Sequence, residues 1–280
     1  MNGYLFRYIM KSIVRRRREI IRVIVATFVA VFFVTGVLTF ESNMYYWQMA
    51  SNKERFGSWF VMEPGNDKVN EGLVNNPYLN SPVTSTNICN IMDEDFEVTK
   101  YKMGFFTEDF LNQGHITLLE GRMPESDSEI AGDMNTLLKL GYSINVGDTI
   151  TVRFLDKNNN NEEKTKDYTL VGILRSYSNI WAAGDILPGI IVSEQGMQSL
   201  NMKMNTVYAY SIKNYVKTSD YRGIYENNLK KLANGKLYYN DDVYDFKPWG
   251  SKAIYNYMYL LVVVIGVVTI SYQLIGYHNS

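Results

Sequence analysis

Two uninterrupted apolar runs stand near the ends of the chain, and between them apolar and polar residues alternate over short stretches. The first run, "IIRVIVATFVAVFFVTGVLTF" from Ile20 to Phe40, contains a single charge, Arg22. As a helix rising ~1.5 Å per residue it would reach ~30 Å, the thickness of a bilayer's hydrocarbon layer. Arg15, Arg16, Arg17 and Arg18 precede it, and Tyr45, Tyr46 and Trp47 follow. A basic flank at one end and aromatic anchors at the other predict a membrane-spanning helix whose basic end is cytoplasmic. Arg22 lies close enough to that end for its long side chain to reach the headgroups. A signal peptide would have a shorter apolar core, ~7–15 residues, and small residues at a cleavage site. The following "ESNMYYWQ" has none, so an uncleaved anchor is expected.

The second run, "AIYNYMYLLVVVIGVVTISYQLIGY" from Ala253 to Tyr277, has no charge between Lys252 and His278. It predicts a second span, with Trp249, Tyr255, Tyr257 and Tyr259 marking its outer end. Its far end lacks a Lys/Arg cluster, as though a longer chain had been cut there. The expected organisation is then a cytoplasmic basic or amphipathic segment over 1–19 and a first transmembrane helix over 20–45. An extracellular domain over 46–252, a second transmembrane helix over 253–277 and a short cytoplasmic end over 278–280 complete it. Within the first segment, "YLFRYIMKSIV" (Tyr4 to Val14) has apolar residues at helical spacing. It reads either as an amphipathic helix lying in the inner interface or as an extension of the first span.

The middle reads as α+β: a mixed sheet with flanking helices, set between the two transmembrane α-helices. "SWFVMEPG" (Ser58 to Gly65) predicts a strand, and Asn66 to Thr86 a loop. "EIAGDMNTLLKLG" predicts a helix ending at Gly141, after Gly121 and Pro124 have turned the chain and left the acids of "RMPESDSE" in solvent. Gly147-Asp148 predicts a turn into the strand Thr149 to Phe154. "KNNNNEEKTK" predicts a hairpin tip, and Tyr168 to Ser176 the returning strand. Gly189 to Val192 predicts a buried strand followed by a short helix opened by Ser193. Thr206 to Lys213 predicts another strand, and Thr218 to Gly235 a helix opened by Ser219 or Asp220. "ESNMYYWQMASNKERF" (Glu41 to Phe56) holds no Gly or Pro. It predicts that the first helix continues as a stalk, the alternative being a flexible linker.

Charge sharpens this division. Seven basic residues and one acid, Glu19, precede Glu41, whereas residues 41–252 carry a net charge of −7. A basic start and an acidic body suit two compartments better than a nucleic acid, and the Arg run beside an apolar segment suits contact with anionic lipid. A single cysteine, Cys89, rules out an intrachain disulfide and reads as a small apolar residue. The abundance of Asn, Lys, Ile and Tyr suits a bacterial cell-surface protein.

Candidate chemistry is sparse. The chain has only two histidines, His115 and His278. No phosphate-binding loop, nucleophile elbow, zinc-protease helix or paired-cysteine motif occurs. "DEDFE" (Asp93 to Glu97) lacks the spacing of a calcium loop and reads as solvated surface. No catalytic, cofactor-binding or metal-ligating residue is therefore assigned, no cofactor is expected, and the chain is not expected to be an enzyme.

The order of parts resembles the first half of an ABC transporter permease of the MacB/FtsX type. "FFTEDFLNQGHITLLEGRMPESDSEIAGDMNTLLKLGYSINVGDTITV" (Phe105 to Val152) is similar to that family's Gly-Arg-x-Pro, Glu-Ile, Leu-Gly and Val-Gly-Asp-x-Ile succession, and "YTLVGILRS" to the strand that follows. The resemblance implies a MacB-like core domain outside the cell and a separate cytoplasmic ABC ATPase as partner. It also implies transmission of that partner's motion through a rigid stalk, for export or for activation of an external hydrolase. The family pattern has at least four spans, so a second half-permease or a second copy of this chain is expected beside the lipid bilayer. A membrane-anchored extracellular binding or sensor module without transport is the alternative. An anchored extracellular enzyme rests on no motif.

Overall fold

The computed structural model describes residues 17–246, apart from 66–67, 94, 96, 157–161 and 234, together with scattered positions between 256 and 266. The chain divides into two compact units, Met1–Gln48 with Lys247–Ser280, and Met49–Phe246.

One helix, α1 (Arg17–Phe56), runs for 40 residues without a break. The absence of Gly and Pro after Gly36 explains why it does not stop at Phe40. The helical continuation expected over Glu41 to Phe56 is therefore present. In the first unit, Ile21, Ile24, Val25, Phe28, Val31 and Phe32 of α1 are each more than half exposed.

The fold class expected from the sequence is overturned on two counts. No helix among the described residues is long and apolar enough to cross a membrane. The apolar residues of α1 belong to a helix that goes on through charged Lys53, Glu54 and Arg55. The expected second span, 253–277, and the amphipathic segment Tyr4 to Val14 lie largely or wholly outside the described residues. Further, the sheet of the second unit is not an open mixed sheet with helices beside it: six of its strands close on themselves.

Those six are β2 (Val83–Met92), β3 (Val98–Phe106), β5 (Glu129–Asp133), β6 (Thr149–Asp156), β7 (Glu162–Leu174) and β8 (Ile190–Val192). β2 pairs β3, β3 pairs β8, β8 pairs β5, β5 pairs β7, β7 pairs β6, and β6 returns to β2. The β3–β8 and β5–β7 pairings are parallel and the other four antiparallel. Closure removes the unpaired edges that an open sheet would expose. β2 makes it possible. Register shifts between Asn87 and Cys89 and between Asn90 and Met92 bend the strand. Its first half then pairs β9 (Asn205–Tyr210), while Ile91 and Met92 pair β6. The remaining strands extend the sheet to ten: β1 (Val61–Pro64) on β9, β10 (Tyr238–Tyr239) on β1, and β4 (Leu118–Gly121) on β7.

The barrel is filled by Ile88, Ile91, Met103, Ile130, Ile150, Val152, Phe154, Leu170, Ile190 and Val192, all buried. Alternation along β6 sends Ile150, Val152 and Phe154 inward and leaves Thr149 and Thr151 exposed. Cys89 is buried in the same core.

Local readings fare unevenly. The strands read at Thr149, Tyr168, Gly189 and Thr206, and the short helix opened by Ser193, are present, with Ser193 Oγ accepting from the Gly196 N–H. Gly147 adopts φ 103° before β6, as the Gly-Asp turn requires. β2 and β3 arise where no strand was expected. The helix expected over Glu129 to Gly141 is the strand β5 followed by only Met134–Lys139 in helix. Between β8 and β7, Ile130 and Ala131 are wholly buried, and that burial overrides helical spacing. The expected helix over Thr218 to Gly235 begins as a 3₁₀ turn, widens into a π-helical stretch at Tyr225–Leu229 and ends at Leu232.

The acids of "RMPESDSE" are not all left in solvent. Gly121 turns at φ 77°. The Arg122 guanidinium then forks onto Glu129, with Nη2–Oε1 2.6 Å and Nη1–Oε2 3.0 Å. Glu129 Oε2 also accepts from the N–H groups of Glu125 and Ser126. The stretch is a closed loop locked by one carboxylate.

Candidate functional site

A polar network of the second unit gathers where α1 ends. Gly57 leaves the helix at φ 80°, a conformation that side chains disfavour, and a Cβ there would stand 2.7 Å from Trp59 Cδ1. The chain then reverses into β1. Five carbonyls at this turn each accept a bond from a distant side chain or from Trp59. Trp181 Nε1 donates to Arg55 O (3.1 Å), and Trp59 Nε1 to Phe56 O (2.7 Å). The Asn240 amide donates to Phe56 O, Gly57 O and Trp59 O at 3.3, 3.1 and 2.9 Å, and Tyr244 OH to Ser58 O at 2.8 Å. One turn earlier, Asn52 Nδ2 donates to Asp242 O at 2.7 Å. A helix end normally leaves its last carbonyls unpaired. Here the domain supplies the donors.

A second set of contacts holds the side chains. The short helix α2 (Glu108–Gly114) is capped by Thr107 and ends at His115, a non-glycine residue at φ 50°. That turn brings the imidazole between two residues of the α1 end: His115 Nε2 lies 2.7 Å from Ser58 Oγ, and Nδ1 lies 3.4 Å from Glu54 Oε1.

The order carboxylate–imidazole–hydroxyl invites comparison with a hydrolase triad, which needs backbone N–H groups free to hold an oxyanion. The Ser58 N–H donates to Gln113 O and the Gly57 N–H to Lys53 O, so both neighbouring amides are engaged. The array is built to hold the helix end.

Behind this seat, aromatic rings lead to the barrel. Trp59 meets Trp181 at 6.0 Å, Trp181 meets Tyr177 at 5.6 Å, Tyr177 meets Phe106 at 5.6 Å, and Phe106 stacks on Phe110 at 4.8 Å. Phe106 ends β3, a wall strand of the barrel. Tyr177 is fixed by Asp133, wholly buried at the end of β5, whose Oδ1 accepts from the Tyr177 N–H at 2.8 Å. Asp133 Oδ2 accepts from the Thr136 N–H, the Thr136 hydroxyl and the Ser178 hydroxyl. A buried carboxylate with this many donors is fully satisfied. On the other side Phe60 packs edge-on against Tyr221, Tyr239 and Tyr244, at 5.0 to 5.6 Å.

Burial at the seat moves its titratable groups. Desolvation lowers Lys53, whose ammonium sits 5.7 Å from the Tyr244 ring centre. It raises Asp242, with the adjacent Asp241 adding to the rise. It also raises the Tyr244 hydroxyl, the donor to Ser58 O.

No residue of the seat was assigned from the sequence, and His115 seemed to stand alone there. The legible signal was the lack of Gly and Pro up to Phe56 followed at once by Gly57. The partners from 181 and 240–244 become neighbours only through the fold. Among the described residues no group of three or more His, Cys, Asp or Glu side chains could hold a metal ion.

No family model matches the chain. No curated protein matches it. Among solved structures it is similar to one from Porphyromonas gingivalis described as "a domain of a putative Permease protein". The identity is 12%, the match covers 70% of this chain and 91% of that one, and the TM-score is 0.31.

Proposed function

We propose that this chain is a permease-side component of an ABC transporter of the MacB/FtsX type, in which a separate cytoplasmic ATPase moves a helix and a domain outside the cell receives the motion. The observation that carries the proposal is the seat of α1. A helix of 40 residues has no internal break, and its last turn together with the residues just after it is hydrogen-bonded to Trp181, Asn240 and Tyr244 and clasped by His115. These bonds tie the end of the helix to the domain that holds the barrel, which supports passage of a displacement of that end into the barrel. The exposed apolar side chains between Ile21 and Phe32 and the Arg15–Arg18 cluster support placing this component at the cell membrane, with residues 46–252 outside.

The chain works beside a second half-permease or a second copy of itself, and export or activation of an external hydrolase is the output. It performs no hydrolysis itself, which the engaged amides of Gly57 and Ser58 favour.

The test is capture of the chain from its native cells. An ABC ATPase should co-purify, and its nucleotide turnover should change when the chain is present. Recovery of the chain with no ATPase would favour an anchored sensor module.

A further inference from the structure

Beside the seat lies an open groove of about 490 Å³ lined by Ser51, Glu54, Arg55, Arg175, Ser176, Asn179 and Ile180. Against the single carboxylate of Glu54 the lining carries two arginines, so its positive charge is only half balanced. Among the described residues neither has an ion-pair partner. The Arg55 guanidinium lies 5.3 Å from the Phe56 ring centre and acts on Asp242 only as a nearby charge. Arg175 is placed through its backbone N–H, which donates to Thr117 O at 2.9 Å. The Ser51 hydroxyl and the Asn179 amide add donors of hydrogen bonds, and Ile180 adds an apolar surface.

We propose that this groove binds a small organic monocarboxylate, such as the carboxyl end of a peptide. Two guanidinium groups and the Glu54 carboxylate give the lining a net charge of +1, which one carboxylate neutralises and a phosphate dianion exceeds. A fork of N–H donors matches a carboxylate's two oxygens, and Ile180 can cover the carbon beside it. Glu54 belongs both to this groove and to the contact with His115, so an occupant sits against the group that helps clasp the helix end. The proposal deepens the reading of the seat as a coupling element by naming what the seat senses.

Binding to the purified full chain is measured by titration calorimetry with N-acetyl-alanine, its neutral amide and inorganic phosphate as probes. The acid should bind saturably, the amide should not, and phosphate should bind more weakly than the acid. Arg55→Gln and Arg175→Gln, both at exposed positions, should each weaken the acid about tenfold, the loss expected for one charge-assisted hydrogen bond. Glu54→Gln should narrow the preference for the acid over phosphate. No saturable binding, equal binding of acid and amide, tighter binding of phosphate, or binding unchanged in Arg175→Gln would each overturn the proposal. These outcomes leave ATPase capture unaffected, so the two readings fail separately.

Discussion

Ser58 Oγ and His115 Nε2 stand 2.7 Å apart, joining the first residues after a long helix to the left-handed cap of a short one. The bond ties two points 57 residues apart and does so where the backbone turns most sharply. Ser58→Ala and His115→Ala should each cost about 1 kcal/mol, the usual net worth of one such bond. The double variant should cost less than the sum, because both remove the same contact. Equilibrium unfolding of the four proteins gives the coupling, and strict additivity would show that the two side chains do not act together.

Asn240 supplies one amide to three carbonyls, Phe56, Gly57 and Trp59, while wholly buried. Asn240→Ala takes this donor from Gly57 O and Trp59 O, while Phe56 O keeps Trp59 Nε1, at a cost of about 2–3 kcal/mol. The midpoint of thermal unfolding should fall by roughly 4–12 °C for a domain of this size. Amide exchange in Met49–Phe56 should rise more than in the barrel strands.

Gly57 has no substitute at φ 80°, since a Cβ would also press to 2.7 Å from Trp59 Cδ1. Gly57→Ala should destabilise by about 1–3 kcal/mol. Gly36, whose Cβ would meet nothing within 4 Å, provides the control: Gly36→Ala should leave stability unchanged or slightly raised.

The Glu129 carboxyl is held down to about 2 from its ordinary 4.5, first by the hydrogen bond from Arg122 and then by the N–H groups of Glu125 and Ser126. A carboxyl depressed in the folded state stabilises it above the unfolded-state value, and that contribution is lost as pH falls through the folded-state value. Glu129→Gln should therefore be less stable than the parent at neutral pH. The difference should shrink between pH 4.5 and about 2, as read from denaturant midpoints. A difference independent of pH across that window would mean that the carboxylate's charge does not hold the loop.

How much of this was legible depends on what each residue answers to. β6 and the start of the helix after Ser193 follow from local rules, an alternation of period two and a side-chain cap, and both were readable. β2 was not. Its sequence "VTSTNICNIM" is half polar, and buried Ser85 and Asn87 conceal a strand that sits between β3 on one edge and β6 and β9 on the other. Barrel closure depends on those pairings between distant strands, which no window of sequence contains. Ile130 and Ala131 carried a helical pattern that tertiary burial reversed. The seat was least legible, because Ser58, His115, Trp181 and Asn240 are ordinary residues until the fold brings them to one turn. The apolar run from Ile20 led to an expected span; what the described residues show is the greasy end of a much longer helix.

The account depends on the end of α1 and the barrel behaving as one rigid body. Spin labels at exposed Ala50 and Lys139, in a Cys89→Ala background that removes the one natural thiol, allow the distance between them to be measured by pulsed dipolar spectroscopy. The account predicts a single narrow distance distribution that broadens when Asn240→Ala is added. A broad or multiple distribution in the parent chain would show a hinge at Gly57 and contradict transmission through the seat.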